Sequence, residues 1–127
     1  MDVEPKRILV FEDELPVRTL VEEILSAAGY SVTSTGRGMD VFTLVRQQPP
    51  DLIVSDLTVP GLNGYQIIAM LRRSGSYQGP ILVLSGRTSE EDAKAALEAG
   101  AQAYLKKPVR RVELLAAVAE LLAPPPA

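Results

Sequence analysis

Five apolar runs of strand length alternate with five segments of helical period along this chain, and no other feature restricts its fold so strongly. The runs are Ile8–Phe11, Tyr30–Thr35, Leu52–Ser55, Ile81–Leu84 and Ala103–Leu105. The third is continuously apolar up to its last residue, the pattern of a strand buried on both faces of a parallel sheet flanked by helices. Pro16 suits a first helical turn, after which Val17, Leu20, Val21, Ile24, Leu25 and Ala28 form one stripe at three- and four-residue spacing until Gly29. Val41, Leu44 and Val45 mark a second helix closed by Pro49-Pro50, and Tyr65–Arg73 a third. Ser89-Glu90-Glu91-Asp92 has the form of a capping box, opening a fourth helix that Gly100 ends. Val112, Leu115, Ala116, Ala119 and Leu122 predict the apolar stripe of a fifth, stopped by Pro124-Pro125-Pro126.

Short strand–helix connections imply right-handed crossovers. The expected fold is α/β and flavodoxin-like: a five-stranded parallel sheet in the order 2-1-3-4-5, doubly wound with five helices. One domain over residues 1–123 accounts for the length, with 124–127 a Pro-rich tail or the start of a linker.

Composition removes several function classes. With no Cys and no His, disulfides, thiol chemistry, imidazole catalysis and the usual zinc sites are excluded, so any metal must be a hard cation on oxygen ligands. A net charge of −3 without a Lys/Arg run gives no electrostatic footprint for direct nucleic-acid binding or an anionic membrane. The N-terminus lacks the apolar core of a signal peptide and no run approaches membrane-spanning length, which predicts a cytoplasmic location.

Chemistry in such sheets gathers at the carboxyl ends of the strands, where strand order reverses. The third run ends there in Asp56 and breaks into Val59-Pro60-Gly61. Strands one and three are neighbours in the predicted order, so Glu12 and Asp13 emerge beside Asp56. Three close carboxylates repel, and without a counter-charge at least one pKa rises. A divalent cation relieves the conflict; Mg²⁺ suits it, and the backbone carbonyl of Thr58 offers a further ligand. The alternative is that Glu12 and Asp13 are acids favoured at a helix N-terminus. Ser85 and Lys107 belong to the same edge, a hydroxyl and an ammonium suited to phosphoryl oxygens, although each in isolation reads as a satisfied loop residue. Asp56 is then the nucleophile that forms an aspartyl phosphate.

The acidic pair Glu12-Asp13, Asp56 followed by Pro60 and Gly64, Ser85-Gly86, Tyr104 and Lys107-Pro108 occur in register on one edge. In these features the chain resembles the receiver domain of two-component response regulators, over nearly its whole length. The resemblance implies a signalling switch rather than an enzyme, accepting a phosphoryl group from a sensor histidine kinase or a histidine phosphotransfer protein, with Mg²⁺ required. It implies direct metal ligation by Asp13 and Asp56 and a water-mediated contact by Glu12. Ser85 and Tyr104 are the implied switch residues, and helix 4, strand 5 and helix 5 the output face toward an unknown downstream protein. It also suggests a cis Lys107-Pro108 bond. Thr58 and Arg87 are expected to flank the phosphoryl group and tune its lifetime, a solvated loop residue being the other reading of Arg87.

Glu-Asp replaces the commoner Asp-Asp, and Ser85 replaces Thr. The Gly100-Ala101-Gln102-Ala103-Tyr104 stretch lacks the paired acids of many winged-helix regulators, which disfavours their dimer interface but leaves a homodimer through another face open. A haloacid-dehalogenase-type phosphohydrolase fits poorly, because Asp56-Leu57-Thr58 lacks a second acid. A flavodoxin-like cofactor binder fits poorly too, because Glu12-Asp13-Glu14 repels a phosphate.

Overall fold

The computed structural model describes residues 4–56, 64–86 and 90–123. In chain order the elements are β1 (Arg7–Phe11), α1 (Leu15–Ala27), β2 (Ser31–Thr35), α2 (Gly38–Gln47), β3 (Leu52–Asp56), α3 (Gly64–Ser74), β4 (Ile81–Ser85), α4 (Glu90–Ala99), β5 (Ala103–Lys106) and α5 (Arg111–Leu122). The strands form one parallel sheet in the expected order β2-β1-β3-β4-β5. β3 and β4 each extend one residue beyond the apolar run, so Asp56 and Ser85 are terminal strand residues rather than the first residues of loops.

Period-two geometry sends neighbouring strand residues to opposite layers. Leu9, Phe11, Ile53 and Val83 pack with Val41, Val45, Ile67, Ile68, Leu71 and Ala96 on the α2–α3–α4 side. Ile8, Val10, Leu52, Val54, Leu82 and Leu84 meet Val21, Ile24, Leu25, Leu114 and Val118 of α1 and α5 on the other. Helices on both faces explain why the central strands carry no polar alternation, while edge strand β2 does.

Gly29 ends α1 at φ 99°, with Tyr30 N–H donating to the Leu25 carbonyl and Gly29 N–H to that of Ser26. This is a Schellman closure, which requires a left-handed residue and hence favours glycine. Two predicted helical faces need correction. Leu20, counted in the buried stripe of α1, is 43% exposed. In α5 the predicted stripe is only partly right: Leu115 and Leu122 pack against the core layer, but Val112 is 79% exposed and Ala116 and Ala119 are exposed, whereas Leu114 and Val118 are buried. The run from Val112 to Leu122 is apolar on most sides, so spacing alone selects no face; contact with β3, β5 and α1 does. The Ser89 capping position lies outside the described residues.

Candidate functional site

Register builds the site. Phe11 pairs with Ser55, so the next residues, Glu12 and Asp56, emerge side by side. Ser85 pairs with Lys106, and the following N–H, that of Lys107, donates to the Ser85 carbonyl at 2.7 Å. Four strand ends therefore deliver Glu12 and Asp13, Asp56, Ser85 and Lys107 to one edge. Glu12, Asp13 and Asp56 each bring a carboxylate oxygen within 4.8 Å of the others. Glu12, Asp56 and Ser85 are almost completely buried.

The Lys107 ammonium is shared among the acids. It donates to Glu12 Oε1 at 3.1 Å and lies 3.0 Å from Oε2, off the direction of a hydrogen bond. Asp56 Oδ2 is 3.5 Å away and Glu14 Oε1 3.7 Å. Burial pushes the Glu12 carboxyl up to about 7; Asp56's negative charge adds to the rise, while the hydrogen bond and charge of Lys107 oppose it. Burial pulls Lys107 down, but the hydrogen bond to Glu12 and the charges of Asp56, Glu12 and Glu14 outweigh it and hold the ammonium above its ordinary range. One ammonium thus faces more acid than it can neutralise.

Among the described residues Glu12 Oε2 and Asp13 Oδ1 are buried yet accept no hydrogen bond. Unsatisfied carboxylate oxygens in a cluster of this size are what a hard divalent cation takes as ligands, so the residues fit Mg²⁺.

Tyr104 lies on β5, paired with Val83, and is half-buried against the α2–α3–α4 core layer. The Lys107-Pro108 peptide is cis. Thr58 and Arg87 lie outside the described residues. Two residues that the sequence did not single out support the acidic turn: Arg18 Nη1 donates to the Glu12 carbonyl at 2.9 Å, and Gly36 leaves room for that guanidinium. Neither belongs to a motif, and their proximity to the site depends on how α1 and β2 pack.

A flavodoxin-like parallel sheet with an acidic cluster at its carboxyl edge defines the class: an α/β domain with a candidate cation site where its strands end. The chain belongs to the response regulator receiver domain family, which matches residues 8–119. It is a receiver domain of the two-component response regulators. Response regulator MprA of Mycobacterium sp. (strain KMS) is 41% identical over 118 residues, 93% of this chain and 51% of that protein. DNA-binding response regulator MtrA of Mycobacterium tuberculosis is 35% identical over 118 residues, again 93% and 51%. The chain thus spans about half the length of the curated relatives it matches. Among solved structures, chemotaxis protein CheY4 of Vibrio cholerae superposes with a TM-score of 0.87 at 28% identity, over 93% of this chain and 99% of that one. The BeF3-activated N-terminal receiver domain of Klebsiella pneumoniae RstA does so with 0.86 at 30% identity, over 93% and 99%.

Proposed function

We propose that Asp56 accepts a phosphoryl group from the phosphohistidine of a sensor histidine kinase or histidine phosphotransfer protein, and that the aspartyl phosphate switches the contacts this domain makes. An Asp56 carboxylate oxygen attacks phosphorus, the P–N bond to the donor imidazole breaks, and its electron pair stays on the leaving nitrogen. Lys107 binds the transferred oxygens as it exchanges Glu12 for phosphate, and Ser85 donates to one of them. The observation that carries this reading is the buried carboxylate at the end of β3, beside two acids with unsatisfied oxygens and within reach of one shared ammonium.

Asp13, Asp56, Glu12 through water and the Thr58 backbone carbonyl are the proposed holders of Mg²⁺, which when bound supplies positive charge to the phosphoryl oxygens. Thr58 and Arg87 are assigned to phosphoryl lifetime, and Ser85 and Tyr104 to relaying the charge change toward α4, β5 and α5. The domain is regulatory, and assists its own phosphorylation and dephosphorylation. Its output is a protein partner through that face, with a homodimer as one form. MtrA is described as DNA-binding, and the half of that relative unmatched here is the natural place for such an activity; this chain is not assigned direct contact with nucleic acid. Among the described residues no helix is long and apolar enough to cross a membrane, and the cytoplasm is the proposed location.

Incubation with Mg²⁺ and acetyl phosphate, followed by intact mass, tests the assignment. One added phosphoryl group that is absent from Asp56→Asn is expected. An adduct retained by Asp56→Asn, or no adduct at any Mg²⁺ concentration, would overturn it.

A further inference from the structure

Both main-chain groups of Glu12 are held by other elements. Its N–H donates to the Thr35 carbonyl at the end of β2, at 3.1 Å. Its carbonyl accepts from Arg18 Nη1 on α1, at 2.9 Å. That carbonyl belongs to the peptide joining Glu12 to Asp13, so its direction sets where the Asp13 side chain begins. The main chain of Arg18 is anchored in the first turn of α1, its N–H donating to the Glu14 carbonyl at 2.9 Å. Across from it lies Gly36, the residue after β2. A Cβ at Gly36 would collide with Arg18 Nη1, and would stand 3.3 Å from Cζ and 3.5 Å from the Glu12 carbonyl oxygen. Gly36 does not have the positive φ that would itself require glycine. What it supplies is space for the guanidinium.

We propose that Arg18, seated in the space left by Gly36, is a positioning residue for the cation and phosphoryl site: it aims the Glu12–Asp13 peptide so that the Asp13 carboxylate faces Asp56. The inference rests on the assignment of Mg²⁺ to this cluster. Without the guanidinium, the buried carbonyl loses its charged donor, and the peptide rotates toward water to recover one. Among the described residues Asp13 Oδ1 is buried and accepts no hydrogen bond, so the direction of the peptide that carries it matters to where it points. Outer partners that orient metal ligands affect affinity by about 10- to 100-fold when removed.

The steric arrangement supplies a clean test, because a methyl group at 36 meets the far end of a flexible side chain and can be accommodated by moving it. Gly36→Ala displaces the Arg18 head group while leaving Arg18 and every acid in place. Mg²⁺ affinity is measured by titration calorimetry on the phosphate-free protein, well below the melting temperature of each variant. Gly36→Ala and Arg18→Met are each expected to weaken Mg²⁺ binding about 10-fold. The double variant should be no weaker than Arg18→Met alone, since both changes remove one contact. Arg18→Lys, with a slimmer cationic donor, should recover part of the affinity in the Gly36→Ala background. An unchanged dissociation constant in Gly36→Ala, or losses that multiply in the double variant, would overturn the proposal. Mg²⁺ binding without any phosphoryl adduct on Asp56 would sink the phosphoacceptor assignment alone; no Mg²⁺ binding by the unaltered protein would remove both.

Discussion

The two edges of the sheet are built on opposite electrostatic rules. At the amino edge, polar groups close on one another. Arg72 of α3 donates Nε and Nη2 to the Gly100 carbonyl at 3.3 and 2.8 Å, Nη1 to the Tyr77 carbonyl at 3.1 Å, and Nη2 again to Gln102 Oε1 at 3.0 Å. Gln102 Oε1 also accepts the Ile81 N–H, at 2.8 Å. Arg7 and Asp51 join the starts of β1 and β3 reciprocally, Arg7 N–H donating to Asp51 Oδ2 and Asp51 N–H to the Arg7 carbonyl. At the carboxyl edge one lysine serves Glu12, Asp56 and Glu14, and among the described residues Glu12 Oε2 and Asp13 Oδ1 accept no hydrogen bond. Among the described residues the first edge closes on itself, whereas the second keeps two buried carboxylate oxygens that a cation could take. Clefts around Arg7 lie at the amino edge, lined by residues such as Ser31, Gln47 and Pro50.

The contrast can be broken from either side. Lys107→Met should have the largest effect. It strips the acid cluster of its shared cation, lowering stability of the metal-free domain at pH 8 by about 3 kcal/mol. The same change should raise Mg²⁺ affinity about tenfold, because a competing positive charge is gone, and slow phosphorylation about 100-fold through loss of transition-state stabilisation. Thermal melts, calorimetry and mass-resolved kinetics separate these outcomes. If metal affinity falls instead, Lys107 supports the cation site rather than competing with it.

Arg72→Ala should cost about 2–3 kcal/mol in a denaturant melt, since it leaves the Gly100 carbonyl without its charged donor. Mg²⁺ affinity and the phosphoryl adduct should be unchanged. A loss of either would mean that the two edges are coupled.

Glu12→Gln tests the cause of the imbalance through pH. The folded-state carboxyl titrates near 7 against an ordinary 4.5, so its contribution to stability is complete below the lower value and is lost as pH rises through the higher. The glutamine variant should therefore melt with the unaltered metal-free protein near pH 5 and exceed it by about 2 kcal/mol at pH 8. Mg²⁺ selects the ionised form, so its affinity for the unaltered protein should fall as pH drops below about 7, with proton release on binding. Equal melting curves at both pH values would show that Glu12 is not under electrostatic load.

The smallest effect belongs to Tyr77→Phe. Its hydroxyl donates to the Pro80 carbonyl at 2.8 Å, but that carbonyl also accepts the Ile53 N–H at 3.2 Å. Removing the hydroxyl should cost about 1 kcal/mol or less in the same melts, with the carboxyl edge unaffected.

Local chemistry carries a large part of this protein. Apolar runs bounded by Gly, Pro and acids locate every strand to within about a residue or two, the usual uncertainty at element ends. Strand–helix alternation then selects a sheet order with β1 beside β3. Once that order is known, Glu12, Asp13, Asp56, Ser85 and Lys107 must share an edge, because parallel strands put all their carboxyl ends together. Periodicity fails where it has no contrast to read. In α5 almost every position is apolar, and only packing buries Leu114 and Val118 while leaving Val112 in water. It is silent as well on contacts between side chains and distant backbone. Arg18 reaching the Glu12 carbonyl, Gly36 leaving room for it and Arg72 spanning from α3 to Gly100 depend on how helices seat on the sheet. The sequence by itself determined which groups meet at the carboxyl edge, since that follows from strand order. Tertiary structure decided how far each acid is buried, which oxygens lack donors and which acid holds the lysine, because those depend on distances of a few ångströms that no spacing encodes.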